Sequence, residues 1–442
     1  MAMTTPAAAW QPEQERVDRE ELEQLQLERL EATLTRAYRH VPHYRKRFDE
    51  AGFDPDGFRS LADLARLPFT TKEDLRTHQP YGLFAVPLRD VVRVHATSGT
   101  TGQATAVGYT RNDLRTWADL TARSLVAGGV TRDDVVQIAF DYGLFTGAFG
   151  LHAGAERLGA SVIPVSSADA ARQVAILKDY RSTALCCAPS RALAIAEAVA
   201  AAGLPRGALH LKWGLFGAEP WSEALRRELE EKLGVVATDN YGLSEVMGPG
   251  VAGECLARNG LHVAEDHFLV EVIDPATLAP VAPGQPGELV VTTLSREATP
   301  LVRYRTRDLT ALLPGPCACG RTLRRIERIQ GRTDDLLFVN GVRVFPAELE
   351  AALFAVEGVQ PHFQVVLERR GGQDQATVLV EVDEKTFFDE MKRQAELKAA
   401  IQRRLASALG VTVEVRLVGP RAIGRGGARP PRVVDRRGEG GG

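Results

Sequence analysis

Three groups of residues in this 442-residue sequence have types and spacings that could do chemistry. The first is Thr97-Ser98-Gly99-Thr100-Thr101-Gly102-Gln103, directly after the apolar-alternating run VVRVHA. Gly99 and Gly102 free the backbone to approach an anion closely, and the hydroxyls of Ser98, Thr100 and Thr101 add donors. The run is not a Walker A loop, because the GK[ST] ending is missing. By itself it reads either as a phosphate loop or as a Ser/Thr/Gly turn without a ligand. The second group is Tyr241-Gly242-Leu243-Ser244-Glu245. A loop carboxylate there suits Mg²⁺, which takes few protein oxygens and fills its shell with substrate oxygens; the plain alternative is a solvated glutamate. The third is Cys255, His262, Cys317 and Cys319. Three thiolates and an imidazole suit tetrahedral structural Zn²⁺, although the Cys-x-Cys spacing is tighter than usual and the two halves lie far apart. Zinc and free buried cysteines both remain open on spacing alone.

The elements that must position these residues follow from composition and pattern. The length calls for at least two domains. Apolar residues make up 44% and charged residues 25%, as in ordinary globular chains. The net charge of -3 gives no reason to expect nucleic acid or an anionic membrane as partner. No run approaches the ~18 apolar residues needed to span a bilayer. The start MAMTTPAAAW lacks the basic and apolar stretches of a secretory signal. Five cysteines, an odd and sparse set, argue against a disulfide framework, so the cytoplasm is the expected location.

Residues 14–39 read as a surface helix, with Leu22, Leu25, Leu30 and Leu34 near one face. From about 90 to 330, apolar stretches such as VVQIAF (135–140), ASVIPV (160–165) and ALCCAP (184–189) alternate with helical stretches at 112–127, 168–180, 190–202 and 221–233. That alternation is the rhythm of an α/β sheet with covering helices. Cys186-Cys187 falls in a buried-strand pattern and reads as core. Between 267 and 312 the pattern becomes β-rich, with Pro- and Gly-rich turns. After a break near Gly331 come a hairpin at 336–345, a helix at 346–356, two strands, a helix at 385–409 and a last strand. The expected fold class is therefore α/β: a large multi-layer N-terminal domain (1–331) carrying a β-rich subdomain, a small mobile α+β C-terminal domain (332–437), and a disordered tail at 438–442.

Several ordered segments resemble the phenylacetate–CoA ligases, within the superfamily of acyl-CoA synthetases, adenylation domains and luciferases. They are LPFTTKEDLR (67–76), YGLFAVPLRDVVRVHATSGTTGQATAVGYT (81–110), DYGLFTGAFGLHAGAERLGASVIP (141–164), LFGAEPWSE (215–223), DNYGLSEVMGPG (239–250), TPLVRYRTRDLT (299–310) and GRTDDLLFVNGVRVFPAELE (331–350). The resemblance spans residues 14–437. It implies a two-step reaction: a carboxylate attacks the α-phosphorus of ATP to give an acyl-adenylate and pyrophosphate, and the thiol of coenzyme A then displaces AMP. It also implies residue roles. Ser98–Gly102 would hold phosphate, with Thr100 and Ser244 contacting phosphate or metal. Glu245 would bind Mg²⁺. Gly217-Ala218-Glu219-Pro220 would form the adenine-side wall, with Asn240, Tyr241, Gly242 and Leu243 completing the nucleotide segment and Tyr241 stacking on the base. Asp308 would bind the ribose hydroxyls, Arg332 would hold the nucleotide, Asp334 would be the hinge, and Arg343 would face the site in the second half-reaction. Tyr142, Phe145, Phe149, Ala218 and Pro249 would wall an aryl pocket, although core packing suits Phe149 equally well. The cysteine–histidine set recurs in relatives, which implies zinc in a structural role. Homodimers occur in the family.

Two positions depart from the family pattern. Gln103 stands where a lysine is usual in the phosphate loop. Arg429, three residues before Arg432-Val433-Val434-Asp435, stands where a catalytic lysine is usual. Arginine keeps the charge but is planar, forked and larger, and Pro430 and Pro431 stiffen the segment. Three readings follow: an ATP-dependent aryl acid–CoA ligase with Arg429 as the surviving anchor, an adenylating enzyme that serves a carrier-protein thiol, and a nucleotide-binding homologue with weak turnover.

Overall fold

The computed structural model describes residues 8–97, 104–205, 207–333, 337–339, 342–344, 346–354, 356, 359, 363–370, 373–382, 384–387, 391–409, 413–420, 422–423 and 433–436. Its contacts divide the chain into two units: Met1–Trp221 with Arg226–Ile329, and Ser222–Leu225 with Gln330–Gly442.

In the first unit the apolar stretches become strands where β-branched residues cluster, and several helices start at residues whose side chains cap, such as Asp18, Thr71, Thr110 and Asp169. The hairpin β1 (Arg93–Ala96) and β2 (Ala106–Tyr109) pairs antiparallel and brackets the phosphate-loop sequence. Then follow β3 (Val135–Ile138), β4 (Ser161–Pro164), β5 (Ala184–Cys187), β6 (Trp213–Gly217), β7 (Val236–Leu243), β8 (Gly248–Glu254), β9 (Leu261–Val263), β10 (Phe268–Ile273), β11 (Gly287–Thr293), β12 (Tyr304–Thr310), β13 (Leu312–Leu313) and β14 (Arg325–Ile326). A nine-stranded sheet orders as β13-β14-β9-β8-β7-β6-β5-β3-β4. Pairing is parallel from β4 through β7 and antiparallel from β7 onward. Strands β10, β11 and β12 form a second, antiparallel sheet, the β-rich part expected from the sequence.

The parallel strands are covered by helices, as their near-continuous apolar runs require. The helix Arg111–Ala127 begins at a reciprocal cap. Thr110 accepts from the Asp113 amide, and the Asp113 carboxylate accepts from the Thr110 amide. This helix packs closely on Gly147–Leu158, because a Cβ on Gly154 would stand 2.4 Å from the Thr121 hydroxyl. Cys186 and Cys187 are fully buried on β5, as expected of core residues, and burial pushes the Cys186 thiol up to about 12. The helix expected at 14–39 is broken in two, Pro12–Glu15 and Arg19–His40. Asp18 adopts extended backbone between them, and its side chain caps the second helix by accepting from the Glu20 amide. Leu22, Leu30 and Leu34 of that helix are buried.

The second unit has its own core of Leu349, Leu353, Val365, Val378, Ile401, Leu405 and Val415. Strands Phe363–Arg370 and Gln373–Glu381 pair antiparallel, and Val433–Asp435 and Glu414–Val418 add to them in parallel. The helices Pro346–Phe354 and Met391–Leu409 pack within this unit, and the hairpin expected at 336–345 is present as Leu337–Val339 and Val342–Val344. No helix among the described residues is long and apolar enough to cross a membrane. The tail at 438–442 lies outside the described residues.

Candidate active site and a cysteine–histidine cluster

In doubly wound sheets ligands bind beyond the carboxyl ends of the parallel strands. The motif residues gather there. Strand β6 ends at Gly217, and Ala218 follows in a left-handed conformation, with φ of 69°. A Cβ on Gly217 would stand 2.2 Å from the Asn240 carbonyl of β7. The two strands therefore approach more closely here than any side chain permits, which leaves a flat backbone wall. Glu219 turns aside: its carboxylate accepts from the Ser190 hydroxyl at 2.8 Å.

Asn240 and Tyr241 lie near the end of β7, and the register slips between Tyr241 and Gly242. After this irregularity Gly242 and Leu243 pair with Pro249 and Gly248, and Ser244 and Glu245 lie in the turn that joins the two strands. The Tyr241 hydroxyl donates to the Asp308 carboxylate of β12 at 2.6 Å, with both residues buried. Two motifs of the sequence, 67 residues apart, thus become one pair. The neighbouring arginines are committed elsewhere, Arg303 to Glu271 and Arg305 to Glu288, each through two hydrogen bonds. Ser244 shares a hydrogen bond of 2.9 Å with Thr146, at the start of helix Gly147–Leu158. Glu245 is only 8% exposed, yet among the described residues its carboxylate has no hydrogen-bond or ion-pair partner. A carboxylate that no protein cation engages is free to take a cation from outside, and this donor type suits Mg²⁺.

The aromatic residues expected around an acyl group also meet. The Tyr142 ring stands edge-on to Phe149 at 5.3 Å, and the Tyr142 hydroxyl shares a hydrogen bond with His152 Nδ1 at 2.9 Å. Burial pushes the Tyr142 phenol well above its ordinary range. Pro249 accepts from the Trp117 indole at 2.9 Å. Phe145 is half-exposed. One participant was not singled out from the sequence. His95, on β1, is buried among Tyr109, Trp117 and Phe149. Its Nδ1 is 3.0 Å from the Leu144 carbonyl, which also accepts from the Ala96 amide. Burial pushes the His95 imidazole down, toward the neutral form. The alternation in VVRVHA could have marked it as inward-facing.

Ser98, Gly99, Thr100, Thr101, Gly102, Gln103, Asp334 and Arg429 fall outside the described residues. Arg332 lies on Gly331–Arg332 of the second unit. Arg343 lies on Val342–Val344, opposite Phe338 in register, and its side chain is outside the description.

At the other side of β8, Cys255, His262, Cys317 and Cys319 converge. All four are buried, and their ligating atoms lie within 4.8 Å of one another. The Cys255 and Cys317 sulfurs are 3.7 Å apart, and the Cys319 sulfur is 3.3 Å from His262 Nε2. With Zn–S of about 2.3 Å and Zn–N of about 2.0 Å, a tetrahedral ion sets such separations at roughly 3.5–3.8 Å. These two separations and the Cys₃His donor set fit a tetrahedral zinc site. Within it the hydrogen bond from Cys255 pushes the Cys319 thiol down and its own thiol up.

Comparison with known proteins agrees with this arrangement. The family described as AMP-binding enzyme matches residues 38–295, and the AMP-binding enzyme C-terminal domain matches 341–437. A phenylacetate–coenzyme A ligase of Thermus thermophilus is 48% identical over 97% of this chain and 99% of its own length. The Escherichia coli phenylacetate–coenzyme A ligase is 46% identical, covering 95% of each chain. Among solved structures, a 2-hydroxyisobutyryl-CoA ligase in the postadenylation state with 2-HIB-AMP superposes with a TM-score of 0.91 at 31% identity, covering 99% of this chain and 95% of the other. The same ligase with 2-HIB-AMP and CoA in its thioester-forming state gives 0.72 at 32% identity, covering 98% and 94%. The chain belongs to the phenylacetate–coenzyme A ligase family of AMP-binding enzymes.

Proposed function

We propose that this chain activates a small aromatic carboxylic acid, phenylacetate or a close relative, with ATP and passes the acyl group to coenzyme A. The carboxylate oxygen attacks the α-phosphorus, pyrophosphate leaves, and the thiol of CoA then attacks the acyl carbon and expels AMP. The observation that carries this reading is the Tyr241–Asp308 pair, 2.6 Å long, with Glu245 four residues further along the chain, buried and without a hydrogen-bond or ion-pair partner among the described residues. It supplies an aromatic face for adenine, a carboxylate for two ribose hydroxyls and a carboxylate for a cation, all close together on one segment and its bonded neighbour.

In this reading Gly217-Ala218-Glu219-Pro220 back the adenine, with Asn240, Gly242 and Leu243 shaping the edge of the site. Ser98, Gly99, Thr100, Thr101 and Gly102 cradle phosphate, and Thr100 and Ser244 contact phosphate or metal. Glu245 is the Mg²⁺ ligand, and the ion would neutralise phosphate charge when bound. Arg332 holds the nucleotide, Arg429 supplies the positive charge at the reacting carboxylate, and Arg343 serves the thioester step. Tyr142, Phe145, Phe149, Ala218 and Pro249 exclude water around the aryl group. Residues 1–331 and 332–437 form two domains, with Asp334 as the hinge between half-reactions. Cys255, His262, Cys317 and Cys319 hold structural Zn²⁺. The enzyme works in the cytoplasm, as a monomer or a homodimer.

Pyrophosphate release across phenylacetate, benzoate and hydroxylated analogues, with and without CoA, tests the proposal. Release with an aromatic acid and CoA-dependent formation of AMP supports it. Calorimetric ATP binding with no release from any acid would instead favour the weak-turnover reading, which Gln103 and Arg429 motivate. Acyl transfer to a phosphopantetheinylated carrier protein but not to free CoA would favour the carrier reading.

A further inference from the structure

The cysteine–histidine cluster has an orphaned atom. His262 turns Nε2 toward Cys319 at 3.3 Å, while its Nδ1 is buried and has no hydrogen-bond partner among the described residues. Arg321, two residues beyond Cys319, has its side chain hydrogen-bonded to Cys319 and buries an Nη1 without a hydrogen-bond partner among the described residues. Both residues line one small cavity of about 30 Å³, together with Glu15 and Ser124. A cavity of more than about 10–15 Å³ with two to four polar partners holds a water. This one has the volume and the partners: two donors, a carboxylate and a hydroxyl.

The same place is where the N-terminal segment is fastened. The Glu15 carboxylate takes Arg321 Nε at 2.6 Å, both side chains only 2% exposed, and also accepts from the Gln11 amide at 2.8 Å. Arg321 Nη2 donates to the Ala8 carbonyl at 2.7 Å. Thr322 donates its amide to the Glu15 carbonyl and its hydroxyl to the Val17 carbonyl. The loop that carries two of the four thiols is thus tied to residues 8–17 by four hydrogen bonds, one of them within a buried ion pair.

We propose that a buried water in this cavity joins His262 Nδ1–H to the Glu15–Arg321 pair, so that the N-terminal segment is the outer shell of the metal centre. The proposal rests on the reading of the cluster as a zinc site. A ligating histidine fixes its tautomer by donating its other N–H to a carboxylate, a carbonyl or a water. Here the proton on Nδ1 leaves the Nε2 lone pair for the metal, and Glu15 acts through the water as a positioning residue. Metal binding and the order of residues 8–17 then support each other reciprocally.

Metal analysis of the purified full-length protein comes first. Absence of zinc, with none taken up on addition, overturns the metal centre itself. Given one zinc per chain, its transfer to a chelating dye is timed for the wild type, Glu15→Gln, Glu15→Asp and the exposed control Glu23→Gln. Outer-shell partners of this kind change metal affinity by about 10–100-fold. Release about 10–100-fold faster in Glu15→Gln, partial recovery in Glu15→Asp and no change in the control are expected. Stoichiometric zinc released at the wild-type rate by Glu15→Gln overturns the proposal. Should Glu15→Gln fail to fold, hydrogen exchange of the wild type decides: the amides of residues 11–17 exchange faster after zinc is stripped, and unchanged protection overturns it.

Discussion

Replacing Tyr241 by phenylalanine keeps the ring that would stack on adenine and removes only the bond to Asp308. That bond is 2.6 Å long and joins a neutral phenol to a carboxylate, with each residue 8% exposed. Hydrogen bonds to a charged partner contribute about 1.5–3 kcal/mol. At 1.4 kcal/mol per tenfold, Tyr241→Phe lowers kcat/KM for ATP by roughly 10- to 150-fold if the whole bond serves to aim Asp308 at the ribose. The assay is pyrophosphate release against ATP concentration at saturating acid, run in parallel with 2′-deoxy-ATP. The wild type should prefer ATP, and Tyr241→Phe and Asp308→Asn should both lose much of that preference. A packing defect alone would weaken both nucleotides equally. Unchanged discrimination in Tyr241→Phe, with unchanged kcat/KM, would refute the argument that this pair orients a ribose-binding carboxylate.

Three further outcomes follow from other contacts. Gly217→Ala drives a Cβ to 2.2 Å from the Asn240 carbonyl; since neither backbone can yield cheaply, it should raise KM for ATP and lower Tm, with a cost of about 1–3 kcal/mol typical of overpacking. His95→Leu removes the bond to the Leu144 carbonyl and should raise KM for the acid by roughly 2- to 12-fold, the value of one neutral hydrogen bond, with KM for ATP less affected, while His95→Asn recovers part of the loss. Asp266 forms a two-bond pair with Arg123 at 2.7 and 2.8 Å. Burial alone would push its carboxyl up, but His267 and Arg123 outweigh burial and hold it well below the usual carboxylate range. A carboxyl depressed in the folded state stabilises above the unfolded value of about 3.9 and loses that stabilisation as pH falls toward the folded value. Melting curves should therefore show Asp266→Asn less stable by about 3–5 kcal/mol at pH 7, the cost of leaving a buried arginine unpaired, and the gap should narrow below pH 4.

Much of the fold was legible because local chemistry repeats along the chain. The apolar runs at 135–140 and 184–189 became β3 and β5, and the helical stretch 112–127 starts one residue away at a Thr110–Asp113 cap that short-range sterics and hydrogen bonding dictate. The exception at Arg16–Asp18 has the same origin: the expected helix reached back to residue 14 through polar residues, but Asp18 caps the helix that starts at Arg19. Of the candidate site, the residue types were legible and the pairings were not. Tyr241 and Asp308 stood out separately, and nothing in either motif says that one donates to the other. His95 stood out only as one member of an alternating run, since its partner is a backbone carbonyl 49 residues away.

The sequence by itself determined which segments become strands and helices, the family, and the set of chemically able side chains, because those depend on residue type and on neighbours a few positions away. The tertiary structure decided which of them meet. The order of the nine-stranded sheet places the end of β6 against β7, the irregularity after Tyr241 turns Glu245 into a buried position, and the return of the chain through β9 and β14 brings His262 to Cys319 and Arg321 to Glu15, 306 residues away. Contacts at such separations carry no periodic signature. They exist because strand order and burial leave those side chains no other neighbours.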